Sequence, residues 1–203
     1  MIAFVRHGET ASNAGGLLLG RADPELTDLG RTQVAQLARA FSGVDVSAVV
    51  TSPLTRARET AAAIAAAVGG SVEVDERLIE IDYGEWDQRP FADLPRDAVA
   101  EWLADPSFTP PGGENLLAVQ ARVASFCTDT LASRSPAGLI VAVSHVSPIK
   151  AAVAWALGLG PELSWRMRLD LASITRVGSG PRGGAALGSF NETGHLTRPV
   201  AGG

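Results

Sequence analysis

The sequence has little of what disulfide-bonded, metal-binding and membrane-spanning proteins need. Its single cysteine, Cys127, cannot form an intrachain disulfide or a thiolate metal cluster. The histidines are too dispersed to indicate a metal site by spacing; they are His7, His145 and His195. No apolar run reaches the ~20 residues of a membrane span, and the amino terminus has no basic flank or cleavage site typical of a signal peptide. These absences predict a cytoplasmic protein with no membrane partner.

Charge of neither sign is abundant. The chain has 22 Asp and Glu against 17 Lys and Arg, a net charge of −5, and this balance argues against a nucleic-acid partner. It leaves an anionic substrate open, because a few arginines can reverse the potential inside a pocket. With 46% hydrophobic and 19% charged residues, the composition is globular rather than disordered. A chain of 203 residues can bury one full core, so we expect a single domain over 1–203.

What the chain does have is three short apolar runs that each end in a polar group. The runs span 2–5, 46–51 and 139–144, and they are followed by Arg6-His7-Gly8, Ser52-Pro53 and His145. Short runs rich in Val and Ile predict buried strands. Because ligands bind at the carboxyl ends of parallel strands, we expect Arg6, His7, Ser52 and His145 to meet at one edge of a sheet, with Arg56 just beyond Ser52. Gly8 is expected to let the backbone turn and a ligand approach closely.

Helical patterns lie between these predicted strands. Helices are predicted over 28–42, 54–68, a stretch from Gly112 through Phe126, and 148–157, and further strands over 71–78, 171–177 and 185–190. The alternation predicts a three-layer α/β/α sandwich with a mostly parallel central sheet. Residues 87–111 are polar and contain prolines, with a short helix over 97–103, and we expect them to form a small cap or lid insertion over the rim of the sheet.

Several residues have the chemistry that phosphoryl transfer needs. A guanidinium can hold two phosphate oxygens, and a neutral imidazole whose other nitrogen donates a hydrogen bond can attack phosphorus. Arg56 lies in the first turn of a predicted helix, beside amides that suit an anion. The segment 80–86 offers Glu80, Asp82 and Glu85 as proton donors to a leaving alkoxide. None of these roles requires a metal or a cofactor.

Five blocks of sequence together resemble one family. Arg6-His7-Gly8-Glu9-Thr10 is similar to the opening motif of the histidine phosphatase (phosphoglycerate mutase-like) superfamily. The other blocks follow in the order of that family, and they are Ser52-Pro-Leu-Thr-Arg56, Leu78-Ile-Glu80 with Tyr83-Gly-Glu-Trp86, Pro111-Gly-Gly-Glu114 and Val143-Ser-His145. The stretches 145–150 and 169–173 are most similar to the actinobacterial acid phosphatase branch of the superfamily.

The resemblance implies roles for six residues. The implied catalytic residues are His7, Glu80 and His145, and the implied phosphate-binding residues are Arg6, Arg56 and Asn13. In this scheme His7 forms the phosphohistidine and Glu80 protonates the leaving oxygen. One departure is Val146, which stands where the family usually has glycine after the second histidine. We expect its β-branched side chain to reshape the substrate rim.

The resemblance also implies an activity. It indicates an acid phosphatase-like phosphomonoester hydrolase that acts through a phosphohistidine on a small phosphorylated metabolite, with no cofactor and no metal. Between Trp86 and Gly112 the chain lacks the paired arginines and long insertion of cofactor-dependent phosphoglycerate mutases, which favours hydrolysis. A mutase and a non-catalytic module that binds phosphorylated ligands stay open as alternatives, and so does a homodimer. His195 is predicted to be structural, and Glu114 is a candidate pocket residue.

Overall fold

The computed structural model of the protein describes residues 1–133, 138–181 and 183–197, so the end of the predicted 1–203 domain lies outside it. The strands are β1 (Ile2–Arg6), β2 (Val46–Thr51), β3 (Val72–Val74), β4 (Leu139–Ser144), β5 (Ile174–Ser179) and β6 (Ala185–Glu192). The helices are α1 (Ala11–Ala14), α2 (Asp28–Ala40), α3 (Thr55–Val68), α4 (Arg96–Ala104), α5 (Leu116–Ser133) and α6 (Val146–Leu157). None of the helices in these ranges has both the length and the apolarity to cross a membrane.

All six strands belong to one sheet, in the order β3-β2-β4-β1-β5-β6. The first four run parallel to one another, whereas β5 is antiparallel to β1 and β6 is antiparallel to β5. In this register Val143 of β4 lies beside both Val5 of β1 and Thr51 of β2. The three strands therefore end at the same edge of the sheet. The predicted mostly parallel sheet is confirmed.

The central strands are buried on both faces. In β1, Ile2 and Phe4 belong to one apolar cluster with residues of α5 and α6, while Ala3 and Val5 belong to a second cluster with residues of α2 and α3. This double burial explains why β1 and β4 are continuous apolar runs rather than alternating ones. It also confirms the predicted three layers.

Two predicted strand boundaries differ from the structure because polar side chains turn the backbone. The strand predicted over 71–78 ends at Val74, because the Asp75 carboxylate accepts a hydrogen bond from the Arg77 amide at 2.9 Å and opens a 3₁₀ turn. The strand predicted from 171 begins at Ile174, after a turn in which the Ser173 hydroxyl donates to the Asp170 carbonyl at 2.7 Å. The helix predicted from 148 begins at Val146.

The segment 87–111 contains α4, close to the short helix predicted there, and it packs through aromatic side chains. Trp102 is buried, and its ring meets those of Tyr83, Trp86 and Trp165 edge-on, at centroid distances of 5.8, 5.6 and 4.6 Å. Phe108 stacks on Trp86 at 5.7 Å. We call these five rings the aromatic cluster. Edge-on and offset contacts of this kind stabilise a fold beyond the area that they bury.

Candidate active site

The shared edge of β1, β2 and β4 brings both predicted histidines together. His7 follows β1 and His145 follows β4, and their ring centroids lie 5.0 Å apart. Both are almost completely buried, as is Ser52 at the end of β2. The convergence that the strand ends predicted is therefore present.

Two contacts fix the tautomer of His7. Nδ1 lies 2.7 Å from the Gly8 carbonyl oxygen, which can only accept, so Nδ1 carries the proton. Nε2 lies 3.3 Å from Nε of Arg56, which can only donate, so Nε2 presents a lone pair. Burial, followed by the charges of Arg56 and Arg6, holds the pKa of His7 well below its usual value. The ring is thus neutral at physiological pH, and its unprotonated nitrogen, Nε2, faces Arg56.

Gly8 is required by the packing of α2. A Cβ atom at Gly8 would lie 2.6 Å from the Gly30 carbonyl oxygen and 2.9 Å from Cγ2 of Val34. The position of α2 is set by Thr27, whose hydroxyl accepts from the Gly30 amide at 3.0 Å as the N-cap. The close approach of Gly8 to α2 is thus a packing requirement, and the approach of a ligand to Gly8 stays a prediction.

Arg56 holds a loop over His7. It lies in the first turn of α3, fully buried, and its Nη1 and Nη2 donate to the carbonyl oxygens of Ala22 and Gly20, each at 2.8 Å. Asp23 lies 3.8 Å from Nη1 and accepts from both the amide and the hydroxyl of Thr55. Asp23 thereby caps α3 in place of Leu54, which has no side-chain cap. The loop, the helix and the guanidinium form one unit.

Two buried nitrogens at the site have no hydrogen-bond partner among the described residues. One is Nδ1 of His145, whose Nε2 lies 2.7 Å from the Ser52 hydroxyl. The other is Nε of Arg6, whose Nη1 donates to the Leu169 carbonyl at 2.6 Å. Burial lowers the pKa of Arg6 to about 10, which leaves it cationic. Unpaired buried donors are costly, and a tetrahedral anion would satisfy them.

Burial also lowers the pKa of His145, and the neighbouring His7 and Arg56 have smaller effects in the same direction. The ring is therefore neutral beside the cationic Arg56. An anion placed next to it would favour the imidazolium form.

Glu80 sits at the amino terminus of α6. Its Oε2 accepts from the Val146 amide at 3.0 Å, and its Oε1 accepts from the amides of Ser147 and Ile81 at 3.1 and 2.8 Å. Burial raises the pKa of this carboxyl group, while these hydrogen bonds and the charge of Arg56 act in the opposite direction. The net effect is a carboxyl group that holds its proton at higher pH than an exposed glutamate does.

A cavity of about 150 Å³ opens beside these groups. Its walls are formed by Arg6, His7, Asn13, Leu17, Leu18, Leu19, Glu80, Tyr83 and Val146. Arg56 and His145 are not among the residues that line this cavity. Asn13 uses its Oδ1 to accept from the amide and hydroxyl of Thr10 at 3.1 and 2.9 Å, which leaves its amide nitrogen for a ligand.

Comparison with known proteins identifies the family of this site. The model of the histidine phosphatase superfamily (branch 1) matches residues 2–193. The chain belongs to this superfamily. The resemblance predicted from the sequence blocks is thus confirmed at the level of the superfamily, and the acid phosphatase branch within it stays a prediction.

Curated histidine phosphatase relatives and solved structures cover most of the chain. The bifunctional protein Rv2228c of Mycobacterium tuberculosis is 35% identical over 199 residues, which are 96% of this chain but 54% of that protein; the chain thus spans about half the length of this relative. The putative phosphoserine phosphatase 2 of Hydrogenobacter thermophilus is 36% identical over 86% of this chain and 87% of its own. A mycobacterial glucosyl-3-phosphoglycerate phosphatase, solved with VO3, is similar with a TM-score of 0.85 and 31% identity over 95% of this chain and 98% of its own.

The other carboxylates predicted for this histidine phosphatase site have different places. Asp82 accepts from the Gly84 amide at 2.8 Å, and Glu85 is exposed. The structure describes all three candidate acids, and of these Glu80 alone lines the cavity. Glu114 pairs with Arg122 at 2.9 Å instead of reaching the cavity. Two groups were missed: the helix-start amides beneath Glu80, and the leucine wall formed by Leu17, Leu18 and Leu19.

The remaining histidine, His195, lies apart from these contacts. His195 places Nε2 2.9 Å from the Ala172 carbonyl oxygen, so its predicted structural position is confirmed. In the described ranges no group of three His, Cys, Asp or Glu side chains is arranged to hold a metal ion.

Proposed function

We propose that the protein is a phosphomonoester hydrolase that acts through a phosphohistidine on a small phosphorylated metabolite. The observation that carries the proposal is the state of His7, a buried neutral ring whose Nδ1 is held by a carbonyl and whose Nε2 is unprotonated. Such a ring is a competent nucleophile at neutral pH. The names of the relatives, a putative phosphoserine phosphatase and a glucosyl-3-phosphoglycerate phosphatase, support the same class of substrate.

In the first step the lone pair of His7 Nε2 forms a bond to phosphorus, and the bond from phosphorus to the ester oxygen breaks. The protonated Glu80 carboxyl group gives its proton to that departing oxygen, which leaves as an alcohol. The proton stays on Nδ1, which donates a hydrogen bond to the Gly8 carbonyl, so the phosphorylated ring is cationic and its charge faces a backbone acceptor. Arg6 and Arg56 neutralise the phosphoryl oxygens.

In the second step a water molecule attacks phosphorus as the nitrogen–phosphorus bond breaks and its electron pair returns to Nε2. Glu80, now a carboxylate, takes the proton from that water. Inorganic phosphate is released, and Glu80 is again protonated. His145, with its unpaired Nδ1, becomes a donor to a phosphoryl oxygen once the anion beside it raises its pKa.

We further propose that residues 1–203 are one domain in which 87–111 act as a cap. The support is indirect, through hydrogen bonds to the wall of the cavity: the Leu18 amide donates to the Arg89 carbonyl and the Gln88 amide donates to the Leu18 carbonyl, each at 2.9 Å. The segment thus backs the cavity wall. A cytoplasmic location and a homodimer complete the proposal; sedimentation of the purified chain tests the dimer.

The test is the hydrolysis of p-nitrophenyl phosphate by His7→Ala. We expect a loss of at least about 1,000-fold, as for removal of a nucleophile, and no effect of a chelator on the unsubstituted protein. His195→Ala, the same change outside the cavity, is the control and should retain turnover. Acid quench of the unsubstituted protein with ³²P-labelled substrate should trap an acid-labile phosphoprotein that the His7 variant does not form. Turnover by His7→Ala would disprove the nucleophile, and conversion of 3-phosphoglycerate to an isomer in place of phosphate release would indicate a mutase.

A further inference from the structure

The cavity has two chemically different halves. Arg6, His7, Asn13 and Glu80 are the polar lining residues at which the phosphoryl group would lie. The other walls are apolar apart from the Tyr83 hydroxyl, and they are formed by Leu17, Leu18, Leu19, Tyr83 and Val146. Burial raises the pKa of Tyr83, so its hydroxyl stays neutral. The alcohol portion of a phosphoester would therefore lie against hydrocarbon.

Cations close to this apolar wall are engaged elsewhere. Arg21 pairs with Glu114 at 3.4 Å, and Arg89 donates to the Asp93 carbonyl at 2.6 Å. Lys150 donates to the Ser164 carbonyl at 2.9 Å. None of the three is among the described residues that line the cavity. The one lining cation, Arg6, belongs to the phosphoryl end.

The leucine wall is also fixed in place. Besides its two bonds to Gln88 and Arg89, it is bounded by Asp87, whose two carboxylate oxygens accept from the amides of Gly20 and Ala22, each at 2.8 Å. Leu17 forms a bridge with Pro90. A wall held at both ends by backbone bonds cannot easily turn aside to admit a distant cation.

We propose that the substrate of this site is the phosphomonoester of a neutral, largely apolar alcohol, and that Leu17, Leu18 and Leu19 select against a carboxylate on the alcohol portion. This inference rests on the proposed phosphatase activity. A substrate carboxylate placed against these leucines would lose its hydration without gaining a cationic partner. It would also lie in the same cavity as Glu80. The selectivity therefore differs from that suggested by relatives named for phosphoserine or a phosphoglycerate.

A matched pair of esters tests the proposal. Propyl phosphate and 3-phosphonooxypropanoate have the same chain length and differ in a terminal methyl against a carboxylate. We expect kcat/KM of the unsubstituted protein to favour the propyl ester by at least about 100-fold, since an unpaired polar group in a closed site is rejected more strongly than a missing methylene. A preference for the carboxylate ester overturns the proposal.

Two substitutions at Leu17, with a control substitution at Leu117, locate the selectivity. Leu17 is half-exposed, so Leu17→Arg should fold and should shift the ratio toward the carboxylate ester by at least about tenfold, the scale of one buried charge partner. Leu17→Gln should weaken the propyl ester without this gain, and Leu117→Arg, an exposed leucine on α5, should leave the ratio unchanged. An unchanged ratio in a Leu17→Arg protein with a normal melting curve overturns the role of the wall.

Hydrolysis of p-nitrophenyl phosphate separates this inference from the proposed function. If the unsubstituted protein hydrolyses neither p-nitrophenyl phosphate nor the two esters, the proposed function itself fails. If it hydrolyses p-nitrophenyl phosphate, a failed ester test overturns the present inference alone.

Discussion

The two sides of the candidate site are built on opposite principles. At the strand-end rim, His7, Arg56, Glu80 and His145 are polar or charged and at most 2% exposed. In the segment 87–111, the buried residues are apolar, and rings of the aromatic cluster pack edge-on or stacked. The burial of polar and charged groups at the rim therefore lowers the stability of the fold. The burial of apolar area in the aromatic cluster raises it.

The difference separates the part of the site that does chemistry from the part that supports it. The rim side chains are held by backbone atoms: His7 by the Gly8 carbonyl, Arg56 by two loop carbonyls, and Glu80 by three amides. Backbone partners cannot change rotamer, so they orient a reactive group more rigidly than side chains do. Substitutions at the rim should consequently change activity and pH dependence. Substitutions of cluster residues that do not line the cavity, such as Trp102, should change stability alone.

The largest expected effect at the rim is on the proton donor. Glu80→Gln cannot protonate a leaving alkoxide, so we expect kcat with propyl phosphate to fall about 100- to 10,000-fold, the usual contribution of a general acid. The loss with p-nitrophenyl phosphate should be much smaller, because nitrophenolate leaves without a proton. Steady-state rates on both substrates measure the contrast.

The matched control for Glu80→Gln is Glu85→Gln, an exposed carboxylate of the same segment. It should leave both rates unchanged. If Glu80→Gln lowers the rates with the two substrates equally, Glu80 positions other groups instead of donating a proton. The rim would then lack the proton donor that distinguishes it from the aromatic cluster.

The rim was the more predictable side because its positions are set by strand ends. The apolar runs before His7 and His145 could only be buried strands, and parallel strands share an edge. The blocks that resemble the histidine phosphatase family then distinguished Glu80 from Asp82 and Glu85, which local patterns alone could not do. The fold class followed from the same alternation of strands and helices.

Long-range polar contacts could not be predicted in the same way. Ser52 and His145 are 93 positions apart, and Glu80 and Ser147 are 67 apart; no local periodicity encodes such a pair. The leucine wall was missed for a related reason. Leu17 and its neighbours lie in a loop whose shape depends on Asp87, so their apolar character acquires a meaning only in the folded chain.

The next effect is on stability as a function of pH. Folded His7 and His145 have lowered pKa values, while the unfolded chain titrates near 6.5. The contribution of these two rings to the free energy of unfolding is therefore fully present above about pH 6.5. It is lost as the pH falls below that value, because the unfolded chain takes up protons that the folded rings do not. Each ring lowers the free energy of unfolding by about 1.4 kcal/mol per pH unit in that window.

Urea unfolding of His145→Gln measures this dependence. The variant should flatten the slope between about pH 6 and pH 5 by about 1.4 kcal/mol per pH unit, the share of one ring. Trp102→Phe, in the aromatic cluster, should shift the free energy of unfolding by the same amount at every pH. If the free energy of unfolding depends on pH with the same slope in His145→Gln and in the unsubstituted protein, the buried ring is not held neutral. The rim and the aromatic cluster would then differ in packing only.

The smallest effect concerns Ser147, which contacts Glu80 through its amide at 3.1 Å and through its hydroxyl, and both contacts lower a pKa that burial raises. Ser147→Ala removes the hydroxyl alone. The pKa of Glu80 should rise further, so the acid stays protonated to higher pH and the alkaline limb of kcat/KM for propyl phosphate moves up. A shift of about one pH unit corresponds to one hydrogen bond to a charged group. Ser173→Ala, a buried serine bonded to the Asp170 carbonyl, should leave the limb in place. A limb that does not move in Ser147→Ala would mean that another group sets it, and that the helix-start amides alone control Glu80.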